Sequence, residues 1–174
     1  MAFWTPDYEL AHVRDISADM LHQAGIRGLL IDVDNTIAPW RQSPSLDIKE
    51  WMAGMNDAGV QLCILSNNRH PTRVKLMAED LGVLFIAKAG KPRRGGYERA
   101  QKLLNLQRHE VAVVGDQIFT DILGGKRAGI KTILVMPLPG GELPALKILR
   151  FIERLVGRKP LMPGEERRAP EGGR

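Results

Sequence analysis

Hydrophobic residues in this chain fall in short continuous runs, and within a run they do not alternate with polar residues. Continuous apolar runs are typical of parallel β-strands that are covered on both faces. The pattern predicts five such strands, which are Gly28–Val33, Val60–Leu65, Val83–Ala87, Val111–Val114 and Thr132–Met136.

The segments between these runs carry apolar residues at helical spacing. They predict four helices, which are Ser45–Ala58, Pro71–Leu81, Gly96–Leu106 and Ile118–Ala128. Gly59, Gly82 and Gly129 follow three of them, and glycine commonly ends a helix. Strands that alternate with helices imply right-handed crossovers. We therefore expect an α/β fold, a doubly wound three-layer sandwich with a mostly parallel five-stranded sheet.

The two ends of the chain differ in composition from its middle. The 174 residues suit one domain, which we place at residues 1–160 with a C-terminal amphipathic basic helix over 142–159. The tail 161–174 is rich in proline, glycine and charged residues. Such a segment has too little apolar surface to fold, so we expect it to be disordered.

The composition is that of a soluble globular protein, with 44% hydrophobic and 26% charged residues. The single cysteine, Cys63, excludes an internal disulfide, and its apolar neighbours predict a buried, unreactive thiol. No apolar run approaches the ~20 residues of a membrane-spanning helix. The N-terminal segment MAFWTPDYEL lacks the basic and apolar blocks of a secretory signal. We therefore expect a cytoplasmic protein without a transmembrane segment.

The net charge of +5 is uneven, since the segment from Lys147 to Lys159 holds five basic residues and one acid. A basic surplus favours anionic partners such as phosphate, nucleic acid or acidic lipid. Over 142–159, apolar residues lie on one helical face and basic residues on another, which is typical of a helix at a lipid interface. A terminal helix packed on the sheet gives the same pattern. The sequence leaves both interpretations open.

Polar and ionisable residues follow four of the predicted strands. In an open α/β sheet, ligands bind beyond the carboxyl ends of the strands, so these residues are expected to meet. In chain order they are Asp32, Asp34 and Thr36, then Ser66, Asn67 and Asn68, then Lys91, then Asp116 and Asp121.

This inventory suits phosphoryl transfer assisted by a metal ion. Asp32 could attack phosphorus while Asp34 handles the proton of the leaving group. Asp116, Asp32 and a backbone carbonyl could hold Mg²⁺, which prefers oxygen ligands. Ser66 and Lys91 could bind the phosphoryl oxygens. Each motif alone is also explained as a turn or a surface charge, but four in order at strand ends favour one site.

The motifs DVDNT, SNN, KP and GDQIFTD resemble those of the haloacid dehalogenase (HAD) superfamily of phosphatases. The longer segments GIRGLLIDVDNTIAPW and VVGDQIFTDILGGKRAGIKTILV resemble the YqeG-type branch of subclass IIIA. That branch includes phosphatidylglycerophosphate phosphatases of bacteria and mitochondria. The resemblance covers about residues 8–160.

The resemblance implies a role for each residue of the expected site. Asp32 would be the nucleophile that forms an aspartyl-phosphate, and Asp34 the general acid and then the base. Mg²⁺ would be held by Asp32, Asp116 and the backbone carbonyl of Asp34. The residues that would bind the phosphate are Ser66, Asn67 and Lys91. The supporting residues would be Asp121 and Thr36.

The spacing of the motifs leaves no room for a cap domain over the site. Asp34 and Ser66 lie 32 positions apart, and Ser66 and Lys91 lie 25 apart. An open site suits a bulky substrate, and the basic and aromatic residues, among them Trp40, Arg93 and Arg94, favour a membrane surface.

We therefore expect dephosphorylation of phosphatidylglycerophosphate, an anionic phospholipid, by a protein peripheral on the inner face of the membrane. Three alternatives stay open for the same chemistry: a nucleic-acid, a protein or a small-molecule phosphomonoester. A fourth is a catalytically vestigial phosphate-binding scaffold. No stable nucleic-acid complex is expected, and the sequence leaves the oligomeric state open.

Overall fold

A mostly parallel sheet forms the centre of the structure, a computed structural model that describes residues 4–138 and 166–168. The sheet has seven strands in the order β4-β3-β2-β5-β6-β1-β7. All neighbouring pairs are parallel except β1 and β7. The strands are β1 Tyr8–Leu10, β2 Gly28–Ile31, β3 Gln61–Leu65, β4 Leu84–Ile86, β5 Val111–Gly115, β6 Lys131–Val135 and β7 Glu166–Arg168.

Helices connect the parallel strands. They are α1 Ala18–Gln23, α2 Leu46–Asp57, α3 Pro71–Leu81, α4 Arg94–Leu104 and α5 Leu123–Ala128. Two 3₁₀ turns occur at Val13–Asp15 and Arg108–Glu110, and a π-helical turn at Ile118–Ile122 leads directly into α5. Gly82 and Gly129 end α3 and α5 in the left-handed conformation, which glycine adopts without steric penalty.

Two hydrophobic layers cover the sheet, one on each face. Leu29 and Ile31 of β2 belong to one cluster with Met52 of α2. Leu30 points to the opposite face and belongs to a second cluster with Tyr97 of α4. Side chains of a strand alternate between faces, so both faces of β2 are buried. This arrangement confirms the three-layer α/β sandwich and explains why the strand is apolar throughout.

The five predicted strands are present with ends shifted by one or two residues, but the sheet has two more. The prediction of five strands was wrong because β1 and β7 have three residues each and lack a continuous apolar run. The helix predicted over Gly96–Leu106 begins and ends two residues earlier. It ends there because Asn105 adopts the left-handed conformation that closes α4. The single helix predicted over Ile118–Ala128 is a π-helical turn followed by α5.

The C-terminal segment is described only at Glu166–Arg168, and the helix predicted over 142–159 lies outside the described residues. Disorder was predicted for 161–174, and for these three residues the prediction is wrong. They pair antiparallel with β1, and the Arg168 guanidinium lies 5.6 Å from the centre of the Tyr8 ring. The composition of this segment does not favour folding, but its pairing with the edge of the sheet orders these three residues.

No cap domain interrupts the fold between residues 4 and 138. The connection from β2 to α2 spans residues 32–45, and that from β3 to α3 spans 66–70. The prediction that no cap domain is inserted here is therefore confirmed. Among the described residues, no helix has the length and hydrophobicity to span a membrane. Cys63 is buried as predicted, and burial raises the pKa of its thiol to about 12.

Asp7, which directly precedes β1, joins that strand to its neighbour β6. Its Oδ2 accepts hydrogen bonds from the backbone N–H and hydroxyl of Thr132, at 2.8 and 2.9 Å. Its Oδ1 lies 2.7 Å from Nζ of Lys126. Partial burial raises the pKa of Asp7, but Lys126 and Thr132 together outweigh that effect, and the pKa lies below its ordinary value.

We predict that Asp7→Ala lowers the free energy of unfolding at neutral pH by about 2 kcal/mol, because buried donors lose their acceptor. The folded-state pKa of Asp7 is depressed, so its contribution is present above the ordinary value of 3.8. It is lost as the pH falls through the folded-state value. Urea unfolding of both proteins at neutral and acidic pH measures the difference, which should shrink in acid.

The matched control is Asp80→Ala, which removes an exposed carboxylate paired with Lys49 at 2.7 Å. An exposed ion pair contributes little, so we expect a change below about 0.5 kcal/mol. Equal losses for the two variants, or a loss for Asp7→Ala that is the same at both pH values, would contradict this role of the Asp7 carboxylate.

Candidate active site

The predicted site residues follow four strands that are consecutive neighbours in the sheet, β4, β3, β2 and β5. The centre of the site is the ammonium of Lys91. Its Nζ lies 2.5 Å from Oδ1 of Asp32 and 2.7 Å from Oδ1 of Asp121. All three side chains are buried. The structure therefore brings together the first, third and fourth motifs at one edge of the sheet.

Three buried carboxylates form a group that suits a metal ion. Asp32, Asp116 and Asp121 each offer an oxygen, and these atoms all lie within 4.8 Å of one another. The hydroxyl of Thr36 is 3.4 Å from Oδ2 of Asp32 and 3.4 Å from Oδ1 of Asp116. Three carboxylates and one ammonium carry a formal charge of −2. Oxygen donors with this charge fit a divalent cation such as Mg²⁺.

The pKa values of Asp32 and Lys91 both lie above their ordinary values. Burial raises the pKa of Asp32 to about 7, and the nearby carboxylate of Asp121 acts in the same direction while Lys91 opposes both. Burial acts to lower the pKa of Lys91, but Asp121 and Asp32 outweigh it and hold the pKa above its ordinary value. Lys91 is therefore a fixed positive charge beside Asp32.

Asp121 is held by the π-helical turn that follows β5. Its Oδ2 accepts hydrogen bonds from the backbone N–H of Gln117 at 3.3 Å and from the hydroxyl of Thr120 at 3.2 Å. Gly115 ends β5 directly against it, because a Cβ at position 115 would lie 2.3 Å from Cγ of Asp121. The approach of Asp121 to the site therefore requires glycine at this position, a constraint that sequence reasoning missed.

Asn67 uses its side chain on the backbone of Lys91. Its Nδ2 donates to the carbonyl of Lys91 at 3.0 Å, and its Oδ1 accepts from the N–H of Lys91 at 2.8 Å. This pairing ties the loop after β3 to the loop after β4 and positions the lysine. Ser66 is buried, and its hydroxyl oxygen accepts from the N–H of Asn68 at 3.1 Å. Phosphate binding by Asn67 and Ser66 stays a prediction.

Asp34 is not one of the three grouped carboxylates, and its side chain contacts Arg73. Nη1 of Arg73 donates to Oδ1 of Asp34 at 3.2 Å, and Nη2 donates to the carbonyl of Gln42 at 3.0 Å. Arg73 sits in the first turn of α3, where the helix dipole disfavours a cation. A cation at such a position is a sign in the sequence that the residue has a nearby acidic partner. The sequence analysis did not identify Arg73 in this way.

The model of the HAD-hydrolase-like family matches residues 88–137, which include the third and fourth motifs. Over 155 residues the chain is 36% identical to the probable phosphatase YqeG of Bacillus subtilis, and the alignment covers 88% of this chain and 90% of that protein. The chain therefore belongs to the HAD-like hydrolases, in the family of the Bacillus phosphatase, and is a phosphoric monoester hydrolase.

Two further similarities extend this comparison. The chain is 28% identical to phosphatidylglycerophosphate phosphatase 1 of Arabidopsis thaliana, over 88% of this chain and 46% of that protein. The structure is similar to the cobalt-bound deoxy-D-mannose-octulosonate 8-phosphate phosphatase of Haemophilus influenzae. That similarity has a TM-score of 0.55 at 17% identity and covers 77% of this chain and 91% of the other. It supports the fold alone.

We predict that Gly115→Ala lowers kcat about a hundredfold, because displacing Asp121 shifts Lys91 relative to Asp32. Steady-state phosphatase assays measure the effect, and circular dichroism establishes that the variant is folded. Gly54→Ala is the matched control, since a Cβ at this position in α2 meets nothing within 4 Å. It should keep kcat and gain slight stability. Full activity in the folded Gly115→Ala protein would show that the close contact with Asp121 is unimportant.

Proposed function

We propose that this phosphatase depends on Mg²⁺, works through an aspartyl-phosphate on Asp32 and dephosphorylates phosphatidylglycerophosphate. The observation that carries the proposal is the buried contact of Asp32 with Lys91 within the group of three carboxylates. A nucleophile with a fixed cation beside it is suited to a reaction in which negative charge accumulates on the phosphoryl group. The lipid substrate is supported by the similarity to the plant enzyme.

In the first step, a carboxylate oxygen of Asp32 attacks phosphorus and the bond from phosphorus to the leaving oxygen breaks. Asp34 gives its proton to that oxygen, so the product leaves as an alcohol. The ammonium of Lys91 stabilises the charge on the transferred group. In the second step, water attacks the phosphorus of the aspartyl-phosphate and Asp34 accepts its proton. The bond from Asp32 to phosphorus breaks, and inorganic phosphate leaves.

The residues that would hold Mg²⁺ are Asp32 and Asp116, with the backbone carbonyl of Asp34. Asp121 is close enough to join them, but it accepts from three protein donors, with Lys91 on its Oδ1 and the N–H of Gln117 and the hydroxyl of Thr120 on its Oδ2. We therefore assign Asp121 to positioning Lys91. When bound, the cation would neutralise charge on the carboxylates and on the phosphate, so that two anions can approach each other.

The openness of the site supports a large substrate. No domain is inserted between β2 and α2 or between β3 and α3, so within residues 4–138 no cap covers the edge of the sheet that carries Asp32. A substrate that brings its own bulk can exclude water from such a site. A phospholipid presented at a membrane surface meets this requirement.

Phosphate release from phosphatidylglycerophosphate in detergent micelles tests the proposal. We expect release with Mg²⁺, loss with EDTA, and recovery on adding Mg²⁺ back. Asp32→Asn should lower the rate at least about a thousandfold because the nucleophile is removed. Asp19→Asn, at an exposed acid of α1, is the matched control and should retain the rate.

Release from soluble phosphomonoesters or oligonucleotides but not from the lipid would contradict the lipid assignment alone. Binding of beryllofluoride without turnover of any substrate would instead favour a vestigial phosphate-binding scaffold. Full activity in Asp32→Asn would contradict the mechanism itself.

The contact of Arg73 with Asp34 generates a separate prediction. Arg73→Ala should lower kcat/KM about tenfold for an alkyl phosphate, because Asp34 loses the group that orients it toward the leaving oxygen. The loss should be small for p-nitrophenyl phosphate, whose leaving group departs without a proton. Lys75→Ala, which removes an exposed cation of the same helix, is the control. Equal losses for both substrates would show that Arg73 does not act through proton transfer.

A further inference from the structure

Five exposed cations surround the edge of the sheet at which the active site opens. We call them the cationic rim, which consists of Arg41, Arg69, Lys88, Arg93 and Arg94. They lie in the loops after β2, β3 and β4 or on the first residue of α4. These three strands are neighbours in the sheet. The rim therefore runs across adjacent loops beside Asp32 and Lys91.

Apart from Asp32 and Asp34 of the site itself, no acidic residue lies in the loops that carry the rim. The segments 35–45, 66–70 and 87–94 contain no aspartate or glutamate. Within residues 4–138 and 166–168, no rim cation lies in a salt bridge. At the opposite edge of the sheet, in contrast, Arg27 pairs with Glu110 at 3.1 Å. The rim thus presents a positive surface to an external anion.

Apolar side chains accompany the rim at the same edge. Trp40 is half-buried, and the guanidinium of Arg41 lies 4.3 Å from the centre of its ring. Leu46, the first residue of α2, is 71% exposed. Tryptophan favours the headgroup region of a bilayer, and neighbouring cations bind anionic headgroups. A charged surface that also carries an exposed leucine is better suited to lipid than to a purely ionic ligand.

We propose that the cationic rim, with Trp40 and Leu46, is a docking surface for an anionic lipid bilayer that holds the open site against the membrane. This inference rests on the proposed lipid substrate and adds the surface that presents it. A nucleic acid fits less well, because Arg41 already occupies one face of the Trp40 ring and Leu46 has no partner on a phosphate backbone. Attraction to the bilayer should weaken as salt screens the charges.

Co-sedimentation of the full chain with lipid vesicles tests the docking surface. We compare vesicles of phosphatidylcholine alone with vesicles that also contain phosphatidylglycerol. The full chain should bind the anionic vesicles at least about tenfold more tightly, and added salt should reduce this binding. The double variant Arg93→Glu/Arg94→Glu should lose about tenfold or more of it. Glutamate suits the start of α4 because the helix dipole favours an anion there, so folding is expected to be preserved.

The matched control is Arg127→Glu/Lys131→Glu, which reverses two exposed cations at the end of α5 and the start of β6. These positions lie at the opposite edge of the sheet, so vesicle binding should stay within about twofold of the parent, allowing for the altered net charge. Three results would overturn the docking surface. They are unaltered binding by the Arg93/Arg94 variant, equal losses of binding in both double variants, and binding to neutral vesicles that is as tight as binding to anionic ones. Tighter binding to a single-stranded oligonucleotide than to the anionic vesicles would also overturn it.

This experiment is independent of catalysis, because the vesicles contain no phosphomonoester. Hydrolysis in micelles without vesicle binding would remove the docking surface and leave the proposed function intact. Vesicle binding without hydrolysis of phosphatidylglycerophosphate would remove the proposed substrate and leave the docking surface intact.

Discussion

The structure depends on a buried ammonium held between carboxylates. Nζ of Lys91 contacts Asp32 and Asp121 at 2.5 and 2.7 Å, and none of the three side chains is exposed. Removing such charges from water is strongly unfavourable unless each finds a partner. The cluster therefore forms only if three chain segments, each following a different strand, lie side by side at one edge of the sheet. This requirement links the order of the strands to the composition of the site.

The surrounding residues position these three segments. Gly115 leaves space for Asp121 at the end of β5, and the π-helical turn supplies donors to its second oxygen. Asn67 fixes the backbone of Lys91 from the neighbouring loop. Arg73 contacts the carboxylate of Asp34. The acid that would transfer protons therefore has a partner of its own, although it lies two positions from Asp32.

The sequence predicted which side chains lie together at the carboxyl ends of the strands better than it predicted the edges of the sheet. Parallel strands place their carboxyl ends at one edge, so residues after successive apolar runs could be assigned to a common site. The strands β1 and β7 escaped prediction because their sequences, YEL and ERR, do not form an apolar run, whereas the equally short β4 is apolar throughout. The contacts of Arg73 and Asn67 are between segments distant in the chain, and no local pattern encodes them. Asp121 reaches Lys91 through a π-helical turn that a helical period does not reveal.

The proposed mechanism requires that Asp32 becomes phosphorylated during turnover. The most direct test is to quench the reaction in acid, reduce the acyl phosphate with borohydride and locate the modified residue by tandem mass spectrometry. We predict that the modified residue is Asp32 and that no residue is modified in the Asp32→Asn protein. Phosphate release with the modification on Asp34, or with no modified residue at any time during turnover, would contradict this mechanism.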